Sequence, residues 1–172
     1  KMLCSTAALA LVTANAALAE VTPEQVWENW KSLSTAYGQT VSSTSAAREG
    51  DVLVVRGLNV TSKNADAEAT VTIEQLNFAD KGDGTVDVTM SETSNMVIRT
   101  AAVEDVPATT TTLDVLTPGL LVNASGTAEE MRYQFSGPTV TMRLAGIDAP
   151  DAPTDLKVEG VISGMSGDYL IS

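Results

Sequence analysis

The side chains that could act as acid, base, nucleophile or ligand are few in kind. The 172-residue chain contains no histidine and a single cysteine, Cys4. Without histidine it lacks the commonest general base, the usual catalytic zinc ligand and the group that activates a serine or cysteine nucleophile. Carboxylate, lysine, tyrosine and hydroxyl chemistry remains. Two acidic groupings offer oxygen ligands of the kind Ca²⁺ takes: Asp80 with Asp83, and Asp148 with Asp151 and Asp155. The first lacks EF-hand spacing and a closing Glu, and prolines interrupt the second, so both read as solvated turn residues. Glu104-Asp105 and Glu129-Glu130 are adjacent carboxylates. On a strand, neighbours point to opposite faces and would not converge on one glycosidic bond.

No Ser-x-x-Lys or Gly-x-Ser-x-Gly pattern occurs, and Gly82-Asp83-Gly84 is followed by neither Lys-Ser/Thr nor a helix. That glycine pair reads as a hairpin turn. The sequons Asn59-Val60-Thr61 and Asn123-Ala124-Ser125 matter only in a host that glycosylates its exports. The sequence therefore assigns no catalytic residue, no cofactor-binding residue, no metal ligand and no cofactor.

The elements behind these residues are mostly strands. One amphipathic helix is marked by Thr22-Pro23-Glu24-Gln25, which supplies an N-cap, a proline in the first turn and a capping-box Gln. Val26, Trp27, Trp30, Leu33 and Tyr37 follow at helical spacing, and Gly38 stands where the helix would stop. A tryptophan stripe of this kind packs onto a sheet.

From Val52 onward the apolar period becomes two. Val52, Val54, Leu58 and Val60 form one set, and Val86, Val88 and Met90 a second. Met131, Tyr133 and Phe135 are followed by Val140, Met142 and Leu144, and Leu156, Val158 and Ile162 extend the pattern. Hairpin-type turn signals fall at Asp80–Gly84, Ser136-Gly137-Pro138 and Met165–Asp168. Between Ala69 and Phe78 the apolar phase slips, which a β-bulge near Glu74-Gln75 would reconcile. Leu113 to Val122, punctuated by Thr117-Pro118-Gly119, fits a strand, a short helix or a crossing connection. The expected fold is mainly β: an antiparallel hairpin meander, open or two-layered, with one N-terminal helix.

Lys1, the apolar run Met2–Ala14 and the Ala17-Leu18-Ala19 site before Glu20 have the order of a cleavable signal peptide over residues 1–19. The run is too short to span a bilayer. Residues 20–172 then form a single exported, β-rich domain, without disulfides because Cys4 leaves with the leader. Tyr169-Leu170-Ile171-Ser172, coming just after a turn signal, reads as the start of a further strand and so as the front part of a longer protein. The net charge of −12 makes nucleic acid and anionic head groups poor partners.

Gly50-Asp51-Val52-Leu53-Val54-Val55-Arg56-Gly57-Leu58, Thr72-Ile73-Glu74-Gln75-Leu76 and Gly82-Asp83-Gly84-Thr85-Val86 resemble the exported domain of unknown function (DUF) 2125 family of Gram-negative bacteria. The likeness spans most of the mature chain. It implies a periplasmic address, a repetitive β architecture and members longer than this chain, and it carries over no site residue.

Three functions compete on these residues. The first is a non-enzymatic envelope protein whose sheet is a scaffold or holds an apolar, lipid-like ligand. The second is an adhesion or assembly module that pairs with envelope partners through strand edges. The third is a carboxylate-based glycan hydrolase.

Overall fold

The computed structural model describes residues 20–104, 106–150 and 156–172. The leader read over residues 1–19 lies outside them, as do Asp105, Asp151 and Asp155.

The helix α1 (Pro23–Ala36) forms where its capping signals place it. Thr22 Oγ1 accepts from Gln25 N at 3.3 Å, and Thr22 N donates to Gln25 Oε1 at 2.9 Å, closing the capping box. Gly38 follows at φ 72, a left-handed value that suits glycine and ends the helix.

Ten strands make up one antiparallel sheet: β1 (Thr40–Ser42), β2 (Ser45–Glu49), β3 (Val52–Lys63), β4 (Ala67–Asp80), β5 (Val86–Met90), β6 (Thr93–Thr100), β7 (Thr109–Leu116), β8 (Leu121–Gly126), β9 (Met131–Asp148) and β10 (Glu159–Ile171). Several are halves of longer ribbons. β1 and β2 lie end to end along β3, and β5 and β6 lie end to end along β4. β8 and β7 likewise lie end to end along β9. The chain is therefore a meander in which every ribbon pairs with its predecessor and successor, as the sequence pattern predicts. The ribbons are long: the 18 residues of β9 extend about 60 Å at ~3.3 Å per residue.

Directly opposed residues in an antiparallel ladder share a face, so the registers sort every side chain. One face carries, row by row across the sheet, Leu53, Phe78, Val88, Val122 and Phe135, then Val55, Leu76 and Met90. Farther along the ribbons the same face carries Leu58, Ile73, Ser94, Val115 and Met142. Next comes the row Val41, Val60, Val71, Met96, Leu113 and Leu144. The other face is polar, with Ser42, Asn59, Thr72, Asn95, Asp114, Arg143 and Glu159 in one row. Hydrogen bonds within that row run from Thr72 Oγ1 to Asn59 Oδ1 (2.8 Å) and from Asn95 Nδ2 to Asp114 Oδ1 (3.3 Å), with an Arg143–Glu159 ion pair.

These rows expose a second feature, a waist. On β3 the apolar face passes from Leu53 and Val55 to Leu58 and Val60, and on β9 from Phe135 to Met142, each an odd step that reverses the pleat. Every ribbon is interrupted on this line: Ser43-Thr44, Gly57, Glu74, Ser91-Glu92, Thr117–Leu120, Gly137-Pro138 and Gly164. Gly57, Gly119 and Gly164 have φ values of 60, 66 and 67. Opposite Glu74 the register shifts, because three steps on β4 (Leu76 to Ile73) face four on the neighbouring ribbon (Met90 to Ser94). This is the irregularity the phase slip called for, and the extra residue lies on the β5–β6 side.

Three sequence expectations are corrected by the waist. Val52 and Val54 do not share a face with Leu58 and Val60, because the reversal at Gly57 separates them; Leu53 and Val55 are the partners of those two. Ser136-Gly137-Pro138 is not a turn but the interior of β9, where Pro138 occupies a row absent from the flanking ladders and needs no N–H. Met165–Asp168 is likewise interior to β10, and a Cβ on Gly167 would lie 2.8 Å from the Phe135 ring, so this glycine admits an aromatic neighbour rather than turning the chain. Asp80–Gly84 is a true hairpin turn, and Leu113 to Val122 is strand on both sides of a break.

Two substitutions test this fold by urea denaturation. Phe78→Ala should lower the unfolding free energy by about 3–5 kcal/mol, because it empties a fully buried position between two tryptophans. Gly57→Ala should cost about 1–3 kcal/mol, since the added Cβ meets Thr44 Oγ1 and the left-handed φ disfavours any side chain.

Candidate functional site

The apolar face is continuous along the ribbons, but its cover is not. Helix α1 lies over the end bearing β2, the start of β3, the close of β4, β5, β8 and the start of β9. There Val26, Leu53, Val55, Leu76, Phe78, Val86, Val88, Val122, Ala124, Met131 and Tyr133 are buried with Trp27. Trp30 meets Phe78 edge-on at 5.4 Å between ring centroids, and Tyr133 stacks on Tyr169 at 5.0 Å. The Tyr133 hydroxyl donates to Asn29 Oδ1 at 2.7 Å, joining the helix to β9. Arg48 of β2 binds Glu24 at 3.0 Å and holds the first turn of the helix to the sheet. Tyr37, the last member of the predicted stripe, lies at the C-cap and is exposed.

Beyond the waist the cover thins: Leu58 is still buried in the same cluster, and Val41, Val60 and Ile73 pack against it. Val41, Val60, Val71, Met96, Leu113 and Leu144 are half-buried and none is fully buried; Met142 and Val158 are exposed. A concavity of about 370 Å³ opens here, lined by Leu113, Met142, Leu144, Ile147, Leu156, Val158 and Gly160. Among the described residues its lining has no ionisable side chain, so they offer dispersion and hydrophobic contact rather than acid–base chemistry. The less covered stretch extends about 20 Å along the strands, six steps of β4 from Ile73 to Ala67 at ~3.3 Å each.

The sequence registers the members of this surface strand by strand, but not that they align. Alternation shows that Val71, Met96, Leu113 and Leu144 each face inward on their own strand. Only the pairing register puts them in one row.

The acidic candidates lie elsewhere. Asp80 Oδ1 accepts from Gly82 N at 2.9 Å, and Asp83 Oδ1 accepts from Thr85 N and Thr85 Oγ1, at 3.1 and 2.7 Å, within the β4–β5 turn. The Thr85 hydroxyl bond, with the Thr85 amide, holds the Asp83 carboxyl below the usual Asp range. Among the described residues, no group of three or more His, Cys, Asp or Glu converges as a metal ion would require. Glu104 and Glu129-Glu130 lie in turns rather than on strands, which corrects the opposite-faces reading of those pairs: Glu104 has φ 50 between the bridged Val103 and Val106. Among the described residues no helix is long and apolar enough to cross a membrane.

Burial pushes the Tyr133 phenol well above its ordinary value, with the Tyr169 phenol adding to the effect; burial also raises Tyr169. A raised phenol binds its proton more tightly folded than unfolded. The stability this confers is complete below the unfolded value near pH ~10 and declines as pH rises above it. Urea midpoints measured upward from about pH 8 should hold and then fall past pH ~10. Tyr133→Phe should make that alkaline decline shallower; an unchanged slope would count against the assignment.

Searches of known protein families, curated proteins and solved structures return no match to this chain, so its site is read from its own geometry.

Proposed function

We propose that this chain is a non-enzymatic protein of the bacterial periplasm, a member of the DUF2125 family, whose long sheet receives the acyl chain of a lipid on the less covered half of its apolar face. The observation that carries this reading is the row Val41, Val60, Val71, Met96, Leu113 and Leu144, apolar on every ribbon from the β1 edge to β9 and, unlike the rows under the helix, nowhere fully buried. An apolar band this broad on a protein surface is a binding surface as a rule. Its length of about 20 Å suits one acyl chain, since half the ~30 Å hydrocarbon core of a bilayer is ~15 Å. The charge of −12 favours a neutral or zwitterionic head group over an anionic one.

The helix-covered half then has a structural role: it anchors a sheet whose other half stays accessible. The polar face, with its Asn, Thr, Asp and Arg rows, keeps the opposite side in water.

Native mass spectrometry of the mature protein, purified gently from the periplasm, should show one bound lipid that organic extraction releases. The double variant Leu113→Asp/Leu144→Asp should keep its far-ultraviolet circular dichroism and lose most of that lipid, because each aspartate replaces a contact residue with a charge whose burial is costly. A bare wild-type protein, or a double variant as loaded as wild type, would overturn the reading.

A further inference from the structure

The waist leaves a hollow on the polar face. On the helix side of the break Arg56 opposes Gln75 across β3 and β4, and on the far side Thr72 opposes Asn95 across β4 and β6. Between these two rows stand Gly57 and Glu74, which the β3–β4 ladder skips. Gly57 brings no side chain to the gap, and its φ of 60 suits no residue that would. The resulting concavity of about 630 Å³ lies within the ~300–1,000 Å³ range of small-molecule sites and exceeds the apolar hollow beside Met142. It crosses four ribbons, since Thr44, in the break between β1 and β2, and Thr93, at the start of β6, also line it.

The lining decides the class of ligand. Gly57 aside, every residue in it carries a polar side chain, so nothing there would hold an acyl chain. An extended peptide does not fit either. β3, β4 and β6 each lie between two paired neighbours, which leaves no free main-chain ladder for strand addition.

Electrostatics disfavours an anion. Arg56, the one cation of the lining, is bound to Glu49 at 2.9 Å. Glu74, its one carboxylate, enters no ion pair among the described residues. A phosphate or carboxylate would therefore meet a neutralised guanidinium and an uncompensated negative charge, on a chain of net charge −12. A hard metal ion would find one carboxylate where it takes several oxygen ligands.

A neutral molecule rich in hydroxyl groups meets all of these conditions. Sugar hydroxyls both donate and accept, and the lining does the same. Gln75 and Asn95 donate amide N–H groups to Asn77 at 2.7 Å and Asp114 at 3.3 Å, and their carbonyl oxygens remain acceptors. Glu74 accepts as a charged group, the threonines do either, and Arg56 has N–H groups beyond the one given to Glu49. Glycoside cleavage requires a pair of carboxyl groups, and the single carboxylate of this lining limits it to binding.

We propose that the polar hollow at the waist is a binding site for a neutral glycan, with Glu74 accepting from sugar hydroxyls and Arg56 donating to them. The site lies on the opposite face from the apolar band and does not depend on what that band holds.

The probes are two neutral oligosaccharides, maltotriose and N,N′,N″-triacetylchitotriose, and an anionic one of the same length, trigalacturonate. Titrated into the ¹⁵N-labelled mature protein, at least one neutral probe should give saturable amide shifts centred on residues 44, 56–57, 72–75 and 93–95. A Kd near ~1 mM suits a site without an aromatic platform. Trigalacturonate should bind roughly tenfold more weakly than that probe. Glu74→Ala/Thr93→Ala truncates two exposed side chains, so circular dichroism should hold while affinity for the neutral probe falls roughly tenfold or more. The proposal is overturned by no saturable shift from either neutral probe at about 10 mM, well past a ~1 mM Kd. Tighter binding of trigalacturonate, or equal binding by the double variant, would overturn it as well.

Discussion

The structure depends on one constraint: residues opposed across an antiparallel ladder must share a face. In a meander of long ribbons, that rule gathers alternating residues from every strand into transverse rows, most of them mainly apolar on one face and mainly polar on the other. The fold buries no second sheet against the first among the described residues. Its hydrophobic stabilisation concentrates where α1 meets the rows of Phe78, Leu76 and Tyr133, and the Trp27, Trp30 and Phe78 rings form the tightest part of that contact.

The waist follows from the same rule. A reversal in one ribbon would place its apolar residues on the polar side of its neighbours, so each neighbour must reverse at the same level. Glycines at Gly57, Gly119 and Gly164, a proline at Pro138 and an extra residue at Ser91-Glu92 are five local means to one shared end. Past the waist the helix cover thins. On the helix side, the rows of Leu53, Phe78 and Val88 and of Val55 and Leu76 supply most of the buried core; on the other, Leu58 is still buried, but Val71, Met96, Leu113 and Leu144 are half-buried. A division of this kind lets a protein keep a rigid anchor while leaving an apolar surface in contact with water, a surface that a fully covered sandwich would lose.

The chemistry that the chain lacks bears on the same point. Several of its carboxylates are engaged in turns and surface ion pairs, as with Asp83 on Thr85 and Glu159 on Arg143. Two of its three tyrosines stack on each other, and Tyr133 is further committed to Asn29. What the described residues offer to a partner is an apolar band.

By itself the sequence determined the helix, its capping box and its packing face, because those signals are local and repeat every few residues. It also determined the mainly β class and the phase slip near Glu74, since alternation is written directly into apolar spacing. It misassigned Ser136-Gly137-Pro138 and Met165–Asp168 as turns, because glycine and proline signal a departure from regular strand without saying whether the chain then turns back or continues reversed. Only the tertiary structure decided that, because Gly167 makes room for Phe135 and Pro138 lies beside Gly119, contacts between residues far apart in the chain. The row across Val60, Val71, Met96, Leu113 and Leu144 was likewise set by register, a relation among strands that no single strand's spacing contains.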